Sequence, residues 1–266
     1  MMNMFLHELK QYSRITIIWI VSLVTTAALY MALYPSMASQ MEAMKKILAN
    51  YPKALLVALG IGPSLFFSFA GFYSIIMAYM MLAMSIQAMN LGTGIVAKEE
   101  HSHTAEFLLA KPVNRTQVLT AKLLAALTIL LITNIFFMAA MWAEISILAD
   151  TSIAGRIFIL MTLTLFIVQL FFLGLGFLVS VTAPKIRSVL SISLSTVFVF
   201  YVIGVFDSII GSKAVRYITP FKFFDNQYII QNNAYEPAFL VVEAVFLAAA
   251  FTAAYYFYLK RDIRTT

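Results

Sequence analysis

The sequence predicts an all-α integral membrane protein with six transmembrane helices. Hydrophobic residues make up 62% of the chain and charged residues only 11%, whereas charged residues account for about 25% of a typical soluble domain. Six apolar runs each approach or exceed the length of about 20 residues that a helix needs to cross a bilayer. These runs are continuous, and the strands of a membrane barrel would instead alternate polar and apolar residues. We expect a single transmembrane domain over residues 1–266, with spans at about 15–33, 65–91, 118–142, 157–181, 189–206 and 238–259.

The first element is a polar leader, residues 2–14, that precedes the first span. Its apolar and polar residues alternate at helical spacing, which predicts an N-terminal amphipathic interfacial helix on the inner membrane surface. A frayed polar segment is the alternative. The apolar face carries Met4, Phe5, Leu9 and Tyr12, and the polar face carries His7, Glu8, Lys10, Gln11 and Arg14.

The second span is long, which predicts either tilt or an end that protrudes into the cytoplasm. After it comes a charge-dense segment, residues 92–117. Thr104 is suited to cap a short helix with Glu106 in its first turn, and Pro112 stops that helix. A membrane protein gains nothing from such a segment unless a soluble protein binds it. We therefore predict a cytoplasmic docking element here, and a solvated loop is the alternative.

The last outer segment, residues 207–237, is too apolar for a solvated loop. Its pattern is broken at Pro220 and predicts a re-entrant or interfacial segment between spans five and six. Backbone that is not helical can reach membrane depth only where protein or water satisfies its polar groups. The apolar residues are Tyr217, Ile218, Phe221, Phe223, Phe224, Tyr228, Ile229 and Ile230.

The distribution of Lys and Arg predicts the orientation. With both termini in the cytoplasm, eleven Lys and Arg residues lie inside and seven lie outside. The positive-inside rule favours this topology. The basic character of the chain thus reflects membrane orientation, and nothing indicates binding to nucleic acid.

Polar residues within the spans are candidates for a substrate path. Glu243 lies about 9 Å along the last span, counted at 1.5 Å per residue, and carboxylates inside bilayers usually face a partner or a water-filled path. The alternative for Glu243 is a protonated or paired residue near the outer interface. Asn134 and Gln169 are further candidates for the path, although hydrogen bonding between helices explains them equally simply.

Several kinds of chemistry have no residues to support them. The chain has no cysteine, which excludes disulfides and thiol chemistry. No Gly precedes a Lys, so there is no Walker A phosphate loop. His101 and His103 lie close together in sequence, but a solvated loop explains them better than a metal site does. We expect no catalytic residue, no metal and no cofactor on this chain.

Two regions resemble a known family. Lys98 to Glu100, Thr104 to Arg115 and Lys122 to Leu124 are similar to the signature of type-2 ABC exporter permeases. The usual pattern there is E-E-x-x-x-G-T-x-E-x-L-L-S-x-P-V-S-R, followed by a Lys that opens the third span. Pro220 to Asp225 and Lys260 to Ile263 resemble the last outer segment and the C-terminal tail of that family.

The resemblance implies a permease subunit whose ATPase activity, with its ATP and Mg, resides in a partner. Two permease chains, expected to be identical, pair with two ATPase subunits in the bilayer. The helix between spans two and three acts as a coupling helix that docks on the ATPase. His103 departs from the family pattern, where Gly is common, and this affects the local turn. The implied docking residues are Lys98, Glu99, Glu100, Thr104, Glu106, Phe107, Leu108, Lys111 and Arg115.

The expected function is therefore ATP-driven export of an amphipathic substrate, such as a peptide, an antibiotic or a lipid-like molecule, across a bacterial plasma membrane. Two other classes are open: a secondary carrier or channel, and a membrane immunity protein, each acting without an ATPase. A carrier predicts several charged residues at the bilayer midplane, where only Glu243 comes near. An immunity protein has no need of a docking helix.

Overall fold

The structure is a computed structural model that describes residues 1–40, 47, 50–52, 55, 68–101, 114–147, 153–183 and 186–260, with residues 98–101 and 213 as backbone only. Within these ranges all of the regular secondary structure is helical. The helices are α1 (Met2–Met31), α2 (Tyr34–Ser39), α3 (Phe69–His101), α4 (Arg115–Ile147), α5 (Gly155–Thr182), α6 (Val189–Ile210), α7 (Lys213–Arg216), a 3₁₀ turn (Pro220–Lys222), α8 (Asn226–Asn232) and α9 (Pro237–Lys260).

Six helices in these ranges are long and apolar enough to cross a membrane. They are α1 with α2, α3, α4, α5, α6 and α9, and they overlap the six spans that the sequence predicts. The all-α membrane fold class is thus confirmed. The ends of α6 show how local sequence fixes a boundary. The side chain of Ser188 accepts a hydrogen bond from the backbone N–H of Ser191, and Gly211 ends the helix with φ of 66°, a conformation that favours glycine.

Helices α3 and α5 form the centre of the bundle and bury the largest share of their residues. Gly92 and Gly176 allow the two backbones to approach closely. A Cβ added at Gly92 would lie 2.6 Å from the carbonyl oxygen of Leu173, and one added at Gly176 would lie 2.9 Å from that of Met89. Small residues at such crossings are typical of membrane helices, because close backbone contact supplies the packing energy.

The polar leader differs from its prediction. Residues 2–14 and the first span form one uninterrupted helix, α1. Phe5, Leu9 and Tyr12, the face predicted to lie on the membrane, pack against the hydrophobic core of the chain itself. Glu8 was placed on the polar face, yet it is buried. The reason is that neighbouring helices contact both the apolar residues of this segment and the carboxylate of Glu8. Contact of the outward face with the bilayer stays a prediction.

The helical bundle has two ends, which we call the docking end and the cap end. The docking end holds residue 2, the end of α3, the start of α4 and the end of α9. The cap end holds residues 211–236, which we call the cap segment. Helices α3 and α4 each contain 33 residues, a length of about 50 Å at 1.5 Å per residue, against a hydrocarbon core of about 30 Å. Their length therefore agrees with the predicted protrusion or tilt.

The cap segment folds as α7, the 3₁₀ turn and α8, and Pro220 opens the turn at a buried position. Phe223 and Phe224 are buried in the same core as the long helices. The side chain of Thr219 donates to the carbonyl of Phe200 at 2.8 Å, and that of Asn226 donates to the carbonyl of Ser74 at 3.2 Å. The segment is therefore bound to α6 and α3 rather than solvated. Its depth in the membrane stays a prediction.

Candidate functional site

Two helices, α3 and α4, lead into the predicted docking element. Helix α3 continues through Lys98, Glu99 and Glu100 to His101, and α4 begins at Arg115. The side chain of Arg115 donates to the carbonyl of Leu259 at 3.4 Å, which ties the start of α4 to the end of α9. Residues 102–113 lie outside the described residues, and the docking role of their side chains stays a prediction. Those predicted residues are Thr104, Glu106, Phe107, Leu108 and Lys111.

A buried ion pair lies just below these helix ends. The Nζ atom of Lys122 on α4 is 3.3 Å from Oε1 of Glu8 on α1 and donates to the backbone carbonyl of Ile95 on α3 at 2.5 Å. Lys122 is 2% exposed and Glu8 6% exposed. One ammonium group therefore joins three helices at the docking end.

Tyr12 extends the contacts of the same part of α1. Its hydroxyl lies 3.8 Å from the position that a Cβ would take on Gly94, and Val189 of α6 lies 3.5 Å from that position. In the first part of α4, the hydroxyl groups of Thr120 and Tyr255 share a hydrogen bond of 2.7 Å between α4 and α9. The N-terminal part of α1 thus belongs to a packed layer at the docking end.

A second polar cluster lies in the interior of the bundle. The amide nitrogen of Asn134 donates to Oε1 of Gln169 at 2.5 Å. Gln169 in turn donates to Oε1 of Gln87 and to the carbonyl of Met84, both at 3.2 Å. Gln87 donates to the hydroxyl of Thr133 at 3.1 Å. These bonds connect α3, α4 and α5.

This cluster supports the simpler interpretation of two path candidates. Asn134 and Gln169 are buried and bonded to one another, as expected of residues that hold membrane helices together. Oδ1 of Asn134 has no hydrogen-bond partner among the described residues. The structure brings these two residues together, and their role in a substrate path stays a prediction.

Glu243, the third candidate, has a different environment. It is 3% exposed, and within the described residues neither carboxylate oxygen has a hydrogen-bond partner. Phe239 and Phe246 lie on the same face of α9, four residues before it and three after it. Phe239 packs on Phe223 with ring centroids 5.6 Å apart, and Phe246 stacks on Phe171 at 3.9 Å. Glu243 is thus a polar residue on an aromatic face of α9.

At the cap end, Arg216 joins the cap segment to the start of α9. Its guanidinium pairs with the carboxylate of Glu236 and lies 4.2 Å above the ring of Phe239. Lys222 lies near, and burial lowers its pKa while Asp225 and Asp207 oppose that shift. These contacts make the cap segment a structured cover over one end of the bundle.

Comparison with protein families identifies the family of the chain. The family described as "ABC-2 family transporter protein" matches residues 2–263 of the chain. The chain belongs to the ABC-2 transporter family. None of the curated proteins matches it significantly.

Membership of the ABC-2 family fixes the general role. The protein is a multi-pass membrane protein and an ABC permease subunit. Members of the family associate with an ABC ATPase and are generally not catalytic themselves. The family resemblance that the sequence motifs indicate is confirmed.

One functional feature escaped the sequence analysis, namely the pairing of Glu8 with Lys122. A local signal was present, because a Lys at the start of an apolar run is costly unless an acid or a carbonyl compensates it. The partner could not be chosen from the pattern, because Glu8 and Lys122 are 114 residues apart.

Proposed function

We propose that this chain is the permease subunit of an ATP-driven exporter and that a separate ATPase subunit docks on the docking element, through residues between Lys98 and Arg115. The observation that carries the proposal is the family match together with the geometry at the docking end. Two long helices continue past the ion pair to His101 and Arg115, and the cap segment lies at the opposite end of the bundle. A permease driven from one end and covered at the other fits this arrangement.

The orientation belongs to the same proposal. Both termini and residues 102–113 lie on the cytoplasmic side of a bacterial plasma membrane, in agreement with the distribution of Lys and Arg. ATP and Mg are bound by the partner. The substrate class we propose is amphipathic, such as a peptide, an antibiotic or a lipid-like molecule, because a substrate of this kind can enter from the membrane or the cytoplasm.

The complex contains two permease chains and two ATPase subunits in our proposal. Helices α1 and α6, which correspond to spans one and five, bury few of their residues within one chain. Their exposed faces are therefore available for a second permease chain, identical or similar. Native mass spectrometry of the purified complex tests this, and a single permease per complex would contradict it.

Co-purification is the direct test of the proposed function. The permease is expressed with candidate ABC ATPases from its own genome, and the membrane-extracted complex is isolated through a tag on the permease. We expect one ATPase to co-purify and its hydrolysis rate to respond to an amphipathic substrate in proteoliposomes. A permease that moves substrate with no ATPase bound would favour a carrier or a channel instead.

A further inference from the structure

The pair formed by Glu8 and Lys122 raises the question of why charged groups are buried at all. Removing two charges from water is costly, and well-packed apolar residues of similar volume are often at least as stabilising. The contacts of Lys122 with Glu8 at 3.3 Å and with the carbonyl of Ile95 at 2.5 Å are directional, whereas apolar packing is not. A buried ion pair is suited to hold three helices in one register.

Lys122 and its carbonyl partner Ile95 lie on the two helices that lead into the docking element, α4 and α3. From Ile95 to the end of α3 at His101 there are six residues, and from Arg115 to Lys122 there are seven. Each helix end therefore extends about 9–10 Å past the pair, at 1.5 Å per residue. Because these ends are continuous helix, a force applied at His101 or Arg115 reaches Ile95 and Lys122.

On its other side the pair leads into α1. Glu8 lies in an unbroken helix from Met2 to Met31, and α1 makes its most extensive packing contacts with α4. Phe5 and Leu9 pack against the core on either side of Glu8. A displacement of Lys122 that carries Glu8 with it therefore moves the whole of α1.

We propose that Glu8 and Lys122 are positioning residues that couple the ATPase to the membrane helices. Their ion pair makes α1 move with α3 and α4 when the ATPase displaces the docking element. This inference rests on the proposed function. It assigns to the N-terminal part of α1 a part in energy transmission, in addition to its packing.

The chain offers a favourable background for the test, because it contains no cysteine. Spin labels are attached at Lys10→Cys and Thr182→Cys, two exposed positions at the docking end. Pulsed electron paramagnetic resonance measures the distance between them in the complex with its ATPase, with and without ATP. Melting temperature and ATPase retention are measured on the same samples.

Four variants separate coupling from stability. Lys122→Met removes the ammonium group that pairs with Glu8 and keeps the carboxylate, whereas the double variant Glu8→Leu with Lys122→Met replaces both charges by apolar side chains. Lys122→Arg keeps the charge and a donor for Glu8. Tyr73→Phe is the matched control, because it removes a buried hydrogen bond of 3.1 Å to Thr162 at the other end of α3.

We expect ATP to shift the distance between the labels in the wild-type complex, in Lys122→Arg and in Tyr73→Phe. The double variant should recover the melting temperature and ATPase retention that Lys122→Met loses, yet it should lose at least half of the ATP-dependent shift. A purely structural pair predicts that the shift recovers together with stability.

A full shift in the stable double variant would overturn the inference, and so would the lack of any shift in a wild-type complex that retains its ATPase. If the double variant does not assemble, Glu8→Gln takes its place, because it keeps the shape and removes the ion pair. A full shift in Glu8→Gln would overturn the inference as well. Failure of the wild-type permease to bind any ATPase is a different result, which contradicts the proposed function itself.

Discussion

The docking end and the cap end of the bundle are held together by different chemistry. At the docking end a single ammonium, that of Lys122, connects α1, α3 and α4 from a fully buried position. At the cap end the corresponding ion pair joins Arg216 to Glu236, and both side chains are about a quarter exposed. Aromatic contacts and hydrogen bonds to backbone carbonyls also stabilise the cap end.

The difference predicts unequal sensitivity to substitution. A buried charge that loses its partner keeps its desolvation cost, whereas a partly exposed charge can turn to water. The docking end should thus be more sensitive to the loss of its ion pair than the cap end is to the loss of its own. Substitutions at the two ion pairs compare the two ends directly, and substitutions at other residues should have smaller effects.

Lys122→Met should lower the free energy of unfolding by about 3–5 kcal/mol, because it removes the ammonium group that lies 3.3 Å from the buried carboxylate of Glu8. Arg216→Met, the matched change at the cap end, should cost about 1–2 kcal/mol, since it removes a partly exposed ion pair, a hydrogen bond to the carbonyl of Lys222 and one contact with an aromatic ring. Unfolding of both variants in the same detergent provides the measurement. Equal losses would contradict the distinction between the two ends.

Phe107→Ala should weaken binding of the ATPase by about 2 kcal/mol or more, because an apolar side chain in a docking helix serves as an anchor in the partner's groove. Glu99→Ala is the comparison, and as a rim charge it should act mainly on the association rate. Titration of the ATPase onto reconstituted permease checks both, with membrane insertion as the control. Normal ATPase recovery and transport in Phe107→Ala would remove the docking claim.

Tyr235→Phe tests the distributed contacts of the cap end. The hydroxyl of Tyr235 donates to the carbonyl of Leu160 at 2.5 Å, and burial raises the pKa of Tyr235 to about 12, so the group stays protonated and able to donate. Its loss should lower the free energy of unfolding by about 1 kcal/mol. Tyr217→Phe is the control, since Tyr217 is exposed and should show almost no change. If Tyr235→Phe lowered the free energy of unfolding as much as Lys122→Met does, the cap end would not be stabilised by many small contacts.

Glu243→Gln should have the smallest effect on stability, within about 1 kcal/mol, because no hydrogen bond among the described residues is lost. If Glu243 lines the path, substrate-stimulated ATPase activity should change while assembly stays intact. The two readouts are a melting curve and hydrolysis in proteoliposomes. A clear fall in melting temperature with unchanged transport per folded complex would make Glu243 a structural residue.

The six spans follow from local sequence. A membrane-spanning helix must satisfy its own backbone within one continuous apolar segment, so six runs of residues define six helices without knowledge of their neighbours. The same holds for the boundaries at Ser188 and Gly211, which depend on a cap and on a left-handed glycine. The motif around residues 98–115 was sufficient to indicate the family that the comparison confirms.

The partners of buried polar groups were decided only by tertiary structure. The periodicity of residues 2–14 places Glu8 on a polar face, and only the packing of α1 on α4 turns that face toward Lys122. The bond between Asn134 and Gln169 and the close approach at Gly92 and Gly176 likewise need two helices in a given register. The physical reason is range: capping and apolar length act within one helix, whereas ion pairs and helix crossings depend on rotations and offsets between helices that no single segment encodes.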